Sequence, residues 1–336
     1  MLRDVVAMEV IYVERAVRKH PRVIKLMKRF HRAEVIECER FGEVFNRSSQ
    51  NFRLQKQNPS LILAEKHGRL VLPAPEGYSI GASRNYYFSH MLNCLYDCRY
   101  CFLQGMYRSA SYVHFVNFED FEEAIDAHQS DPGKPDCFFS GYDCDSLAME
   151  RITGFAERFV PFFSERPDKW LELRTKSINT SVLSRQEPVP NIVVAFTMTP
   201  ATIAAEIEHG APSFAKRLDR IESLTRQGWK IGLRLDPLIP WPGFRKIYPS
   251  MIEEIFSRVD GEFIHSVTLG PMRFPKAMYD RIVRLYPFDP LFALDEMVSR
   301  DGQMTYPKET ENELVSLVEE ELLRHLSKEL IFRQLE

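Results

Sequence analysis

From about residue 86 onward, short apolar runs alternate with longer stretches in which apolar positions recur every three or four residues. The first pattern fits strands buried on both faces, and the second fits amphipathic helices that cover them. Candidate strands are FVN around Phe115, then Cys137–Ser140, Leu171–Thr175, Asn191–Thr197, Lys230–Leu235 and His265–Leu269. Helical patterns follow at FEDFEEAIDAH (118–128), LAMERITGFAERF (147–159), APSFAKRLDRIESLTRQ (211–227), SMIEEIFSRV (250–259) and PKAMYDRIVRL (275–285). Asn117, with Asp120 three residues on, predicts a capped start for the first of these. This alternation predicts an α/β fold around a parallel sheet, and five or six such units predict an incomplete barrel.

Residues 1–85 read differently, as a separate mixed α/β lobe, with the barrel and a C-terminal extension occupying 86–336. Within the lobe, His20–Arg32 places Val23, Ile24, Leu26, Met27 and Phe30 among Lys25, Lys28, Arg29 and Arg32, as an amphipathic helix does. Its cations suit a solvated basic face, or alternatively a face that contacts phosphates.

Composition narrows the partners only a little. Hydrophobic residues make up 44% and charged residues 27%, an ordinary globular balance, and a net charge of −3 gives no global pull toward nucleic acid. Arg3, Asp4, Glu9, Glu14 and Arg15 interrupt the amino terminus, so no secretory leader is expected there. The longest uncharged stretch, Pro188–Ala205, contains three prolines and predicts a strand with turns rather than a membrane span. A cytoplasmic protein is the expectation.

Three of the six cysteines, Cys94, Cys98 and Cys101, fall within eight residues in NCLYDCRYCFLQ. Thiolates are soft ligands suited to iron–sulfur clusters, and three of them leave one iron of a [4Fe–4S] cubane open to an external ligand. Such an open iron is what S-adenosylmethionine chelates before its reductive cleavage to a 5′-deoxyadenosyl radical. Phe102, beside the last cysteine, would pack near the adenine. Zinc, with His90 or His114 as a fourth ligand, is the competing reading, but structural zinc usually pairs one CxxC with a second, and the sequence holds no second pair. In barrels of this kind chemistry gathers at the carboxyl ends of the strands. Asp143, Asp145, Lys176, Thr197, Thr199, Asp236 and Arg273 fall at those ends, whereas Cys137 reads as plain strand core.

With these residues in view, the chain resembles the spore photoproduct lyase family, radical-SAM enzymes that reverse a methylene-bridged thymine dimer. CRYCFLQ is similar to the family's cluster loop, and YVHFVNFEDF to the strand and helix that follow it. DSLAMERI, LRTK, GWKIGLRLDPLIP and TLGPMRFPKAMYDRIVRLYP followed by LDE then resemble later family segments in the same order. The resemblance implies a partial (β/α)6 TIM-like barrel of the radical-SAM type with an N-terminal α/β lobe. It implies Cys94, Cys98 and Cys101 as cluster ligands and Lys176, Thr197, Phe102 and Asp145 as cofactor contacts. Arg273 would face the substrate. DNA carrying a lesion is the implied partner, with an electron donor such as flavodoxin or ferredoxin.

Two positions depart from the family's pattern. Where the family carries a cysteine-threonine-serine-aspartate run holding its hydrogen-donating thiol, this chain has Tyr142, Asp143, Cys144 and Asp145. Tyr142 and Cys144 are therefore both candidate donors, and two positions on an extended segment would share a face. Phe102 stands where the family commonly has a relay tyrosine, and Tyr100 remains as a relay candidate. Two alternatives follow from these departures. One is a radical-SAM enzyme of the same architecture with a substrate other than DNA, and the other a nucleic-acid-binding protein with a structural cluster.

Overall fold

The computed structural model describes residues 8–293 and 297–334, so the LDE segment at 294–296, part of the family resemblance, lies outside the described residues, as do Arg3 and Asp4. The chain begins with β1 (Val10–Glu14), passes through α1 (Pro21–Arg29) to β2 (Glu34–Cys38), and after α2 (Phe52–Gln55) reaches β3 (Leu61–Ala64). β2 and β3 flank β1, both parallel to it. α1 forms as its pattern requires: the His20 side chain accepts the Arg22 amide at 3.2 Å, Pro21 opens the helix, and Val23 and Leu26 are buried. The cations Lys25, Lys28, Arg29 and Arg32 are exposed, while Arg22 on the first turn donates to the Val116 carbonyl at 2.7 Å and to Glu119 at 2.8 Å.

Next come β4 (Val71–Pro73) and β5 (Arg84–Phe88), followed by β6 (Met91–Leu92), β7 (Asp97–Cys98), α3 (Leu103–Met106) and β8 (Tyr112–Phe115). β6 and β8 join the first sheet, whose order is β2-β1-β3-β8-β6. This corrects the expectation for the FVN segment. A strand does end at Phe115, but it pairs with β3 rather than with the barrel. Its apolar residues face both ways because the sheet is packed on both sides, Tyr112 into one cluster and Val113 and Phe115 into the main core. The first barrel strand is instead β5, whose Arg84 and Asn85 disguised it. Arg84 escapes the interior by pairing with the buried Asp136 at 2.9 Å.

The barrel continues through α4 (Phe118–Asp126), β9 (Asp136–Phe139), α5 (Glu150–Thr153), α6 (Phe155–Ser164), β10 (Lys169–Thr175), β11 (Ile192–Thr197), α7 (Ala201–Ile207), β12 (Glu208–His209), α8 (Phe214–Thr225) and β13 (Lys230–Leu238). It closes with α9 (Phe244–Phe256), β14 (Ile264–Pro271), β15 (Phe274–Pro275), α10 (Lys276–Leu285), α11 (Pro290–Ala293), β16 (Val298–Arg300), β17 (Gln303–Thr305), α12 (Lys308–Leu322) and β18 (Ile331–Arg333). The second sheet runs β18-β14-β13-β11-β10-β9-β5-β4. Every neighbouring pair is parallel except β4 with β5 at the edge. The expected partial (β/α)6 barrel is thus present, from β5 to β14, with β18 as a further parallel strand. Among the described residues no helix is long and apolar enough to cross a membrane.

Two local expectations fail for physical reasons. Gly154, at φ +61°, takes a left-handed conformation that splits the 147–159 pattern into α5 and α6. Asn117 precedes α4 but does not cap it, because its side-chain oxygen accepts the Lys66 amide at 3.0 Å while its NH2 bonds Asp120 and the Lys66 carbonyl.

Strand faces explain the barrel sequences. Ile192, Val194 and Phe196 of β11 join the core shared with the helices, while Val193 joins Ile80, Cys137 and Phe139 in a separate small cluster. Cys137 is strand core, as expected. Glu172 and Arg234 form a fully buried pair with a shorter contact of 2.7 Å, and Arg174 meets Asp236 at 2.5 Å. A Cβ at Gly232 would come within 2.5 Å of the Arg234 guanidinium, so glycine there leaves the arginine its space.

Candidate active site

At the carboxyl ends of the barrel strands lies a cavity of about 450 Å³. Each strand end contributes: Tyr142 and Asp145 after β9, Lys176 after β10, Thr197 ending β11, Asp236 in β13, and Arg273 after β14. Cys94, Cys98 and Cys101 line the same cavity, as do Tyr100, Phe102 and Cys144. The geometry therefore brings the three thiols together with Tyr100, Phe102, Tyr142, Cys144, Asp145, Lys176, Thr197, Asp236 and Arg273. Asp143 and Thr199 are not among the lining residues. Asp143 bonds Ser89 and Tyr107, and Thr199 donates to Glu208 at 2.8 Å.

The cysteine loop is shaped by bonds to the rest of the protein. β7 pairs antiparallel with β12, and the Arg99 amide donates to the Ile207 carbonyl at 2.8 Å. Tyr100 donates its phenol hydrogen to Glu208, which also pairs with the fully buried Arg217. Burial opposes ionisation of Glu208, yet Arg217 and Lys176 outweigh it and hold the carboxyl below its usual range. Tyr100 is thereby committed to holding the loop. On the lobe side Lys56 donates to the Cys94 carbonyl, and inside the loop Gln104 bonds the Cys98 carbonyl at 2.6 Å. Asn93, at φ +69°, starts the turn and donates to the Ser109 and Ser111 carbonyls, each at 2.8 Å.

The donor set fits a cluster with one open iron. Burial raises all three thiols, Cys94 to about 12, so a strongly positive centre is needed to draw off their protons. The Tyr96 amide points at the Cys94 sulfur at 3.4 Å, a contact that stabilises a thiolate. Among the described residues no three His, Cys, Asp or Glu side chains are placed to hold a single metal ion, as zinc would require, whereas a cubane keeps its thiolates on separate irons.

The S-adenosylmethionine end of the cavity also fits. Lys176 has its Nζ 5.2 Å from the Tyr100 ring centre and makes no ion pair among the described residues, leaving an ammonium ready for a carboxylate. Asp145 places it: one carboxylate oxygen accepts the Lys176 amide at 2.6 Å, and the other accepts Thr175 at 2.6 Å and the amides of Leu147 and Ala148. Asp145 lines the cavity, but these bonds make it a positioning group.

The two candidate donors both line the cavity but do not lie on one extended segment. Residues 142–144 bend instead of extending, and a Cβ at Gly141 would come within 2.7 Å of Arg174, which forces a tight passage. Tyr142 stacks against Tyr87 with ring centres 4.5 Å apart and stands 5.6 Å from Phe102. Cys144 is buried, its sulfur 3.9 Å from His90 Nδ1, and burial pushes its thiol well above the ordinary range. Arg273 donates to the Gln334 carbonyl at 2.9 Å and meets no carboxylate among the described residues.

Sequence reasoning missed Tyr87, Arg174, Glu172, Arg234 and Glu208. The alternation of charge with apolar residues in LELRT and GLRLD signals the buried pairs, since period-two charges inside an apolar strand must face one another across the barrel. Glu208 left no such trace.

A partial parallel barrel with three thiols and an unpaired ammonium at its strand ends defines a radical-SAM enzyme, which uses a [4Fe–4S] cluster and S-adenosylmethionine. The model of the family described as spore photoproduct lyase matches residues 78–332, and the chain belongs to that family. It is 21% identical to the spore photoproduct lyase of Bacillus subtilis, over 93% of each chain, and 22% identical to that of a Geobacillus species, over 58% of each. A solved spore photoproduct lyase variant with bound AdoMet and dinucleoside spore photoproduct superimposes with a TM-score of 0.82 at 17% identity, covering 98% of both chains. A spore photoproduct lyase complexed with dinucleoside spore photoproduct gives 0.80 at 16% identity, again over 98% of both.

Proposed function

We propose that this protein is a lyase that repairs the spore photoproduct, a thymine dimer lesion of DNA, by radical chemistry. The observation that carries this reading is the convergence of the three thiols, Lys176 and Arg273 on one cavity within a family-matched chain. Cys94, Cys98 and Cys101 would hold the cluster, which with S-adenosylmethionine supplies a 5′-deoxyadenosyl radical when both are bound. Lys176 Nζ neutralises a carboxylate, the Thr197 hydroxyl offers a hydrogen bond, and Phe102 supplies an apolar wall for the adenine. Arg273 presents guanidinium donors to a base or phosphate oxygen. A damaged pair is cheaper to extrude from the stack than a sound one, which favours the lesion.

Tyr142 and Cys144 both line the cavity, and hydrogen return is assigned to Tyr142, whose ring stands between Tyr87 and Phe102, whereas Cys144 is buried in a cluster with Met91, Met149 and Ile152. One hydrogen atom would pass from the Tyr142 oxygen to the carbon-centred product radical, leaving a tyrosyl radical. The test is anaerobic reconstitution with iron and sulfide, then reduction with S-adenosylmethionine and a dinucleoside spore photoproduct. Repaired dinucleoside should form alongside 5′-deoxyadenosine. Tyr142→Phe should cut repair at least about tenfold, within the ordinary scale of a lost proton-transferring group, while Cys144→Ala keeps most of it. The reverse ranking assigns the donor to Cys144.

Tyr142 also supports a second reading, because its ring occupies cavity volume where a small residue would leave room. A radical-SAM enzyme with another substrate would yield 5′-deoxyadenosine without repaired dinucleoside.

A further inference from the structure

On its outer side the cysteine loop meets α2 and the segment joining α10 to α11. Arg99 bonds Asp97 and Asp289, each at 2.9 Å, and its guanidinium lies 3.9 Å from the Tyr286 ring centre. Arg53 of α2 donates to the Leu285 carbonyl at 3.2 Å and stands 5.6 Å from the same ring. Lys56, one turn on, is bonded directly to the Cys94 carbonyl. Asp97 and Asp289 on this face are thus already paired with Arg99, while Arg53, Lys56 and the exposed Arg108 have no carboxylate partner among the described residues. Arg108 flanks α2 closely, since the nearby Ala110 amide donates to Gln55 at 3.0 Å. The two most exposed large apolar side chains among the described residues, Leu54 at 64% and Phe288 at 95%, border the Arg53–Leu285 contact.

Uncompensated cations in a chain of net charge −3, beside a fully exposed phenylalanine, suit a transient protein partner more than a nucleic acid. Phosphate contacts would use the cations but give no reason for Phe288 and Leu54 to stand in water. The position points the same way, for Lys56 is, among the described residues, the one half-buried side chain bonded to a cluster cysteine, Gln104 being wholly inside. We infer that this face docks an acidic one-electron carrier protein of low potential, the partner that reduces the cluster before each cleavage of S-adenosylmethionine. The carrier's reduced flavin or iron–sulfur centre is oxidised by one electron and the cluster is reduced by one, with no atom transferred. Redox complexes of this kind use small interfaces steered by charge.

The inference rests on the radical-SAM reading, and the experiment separates the two. The reconstituted holoprotein is titrated with oxidised flavodoxin at low salt, and 5′-deoxyadenosine formation is followed with reduced flavodoxin and, separately, with dithionite. Arg53→Glu combined with Arg108→Glu should raise the flavodoxin Kd by about tenfold or more and slow the flavodoxin-driven rate to match, with the dithionite rate unchanged. Unchanged flavodoxin binding and rate overturn the inference, and so does a loss confined to duplex DNA binding. If the dithionite rate falls too, Phe288→Asp decides, because that side chain is almost wholly in water; absence of a flavodoxin-specific loss then overturns it. Wild-type protein that binds flavodoxin yet forms no 5′-deoxyadenosine with dithionite would sink the radical-SAM reading and leave the docking face standing.

Discussion

Lys176 carries its charge into a cavity where, among the described residues, no carboxylate pairs with it, while one Asp145 oxygen accepts its backbone amide. An ammonium held this way pairs with an incoming carboxylate without first breaking another bond. Hydrogen bonds to charged groups are worth about 1.5–3 kcal/mol, so Lys176→Ala should weaken S-adenosylmethionine binding by roughly ten- to a hundredfold. The cluster absorbance should stay intact, and equilibrium binding to the reconstituted protein measures the effect. A variant that loses the cluster as well would show that Lys176 supports the loop instead. The cysteines and Lys176 were legible in the sequence because metal ligands cluster at fixed spacing and strand ends follow from strand patterns. The partner of Tyr100 was not legible, since Glu208 lies 108 residues away and only the pairing of β12 with β7 brings it near. Nor was the bend after Gly141, which gives Tyr142 an aromatic neighbour in Tyr87 and Cys144 one in His90.

Elements transmit such demands through close packing. α3, directly after the last cysteine, lies so tightly on α10 that a Cβ at Gly105 would come within 2.6 Å of the Met278 carbonyl and 2.8 Å of its Cα. Backbone cannot swing aside as a side-chain tip does, so Gly105→Ala must push the two helices apart. Overpacking of this sort costs about 1–3 kcal/mol, which should lower Tm by several degrees. Gly42→Ala is the control, because nothing lies within 4 Å of its added carbon and its φ is not left-handed. Equal thermal shifts for the two variants would refute the packing account. Periodicity located most helices and strands, yet it put β8 in the wrong sheet. A strand sandwiched on both faces looks the same in sequence whichever sheet owns it, and β5 escaped notice because Arg84 finds its counter-ion only in the folded protein.

Across the whole molecule, the seam between the two sheets holds His90 and His114, both buried. His90 stacks on Phe155 at 3.7 Å, and His114 packs edge-on against Phe118. Burial lowers both, His114 to about 4 from 6.5. Between those values the unfolded chain binds protons that the folded one refuses, so stability is intact above pH 6.5 and is lost as pH falls toward 4. The loss from His114 alone is on the order of 3 kcal/mol across that window. Denaturant midpoints measured from pH 7.5 down to 4.5 should therefore fall for the wild type and fall less for His114→Phe; parallel slopes would refute the assignment. The same seam frames the cysteine loop, which leaves the first sheet at β6, returns to it at β8, and is pinned by Lys56, Glu208 and Asn93. Small metalloproteins that fold around their ion must acquire it while being made. Here Lys56, Glu208 and Asn93 tie the loop to the rest of the protein by bonds that use none of the three thiols, so the set of the loop and the holding of a cluster draw on different atoms.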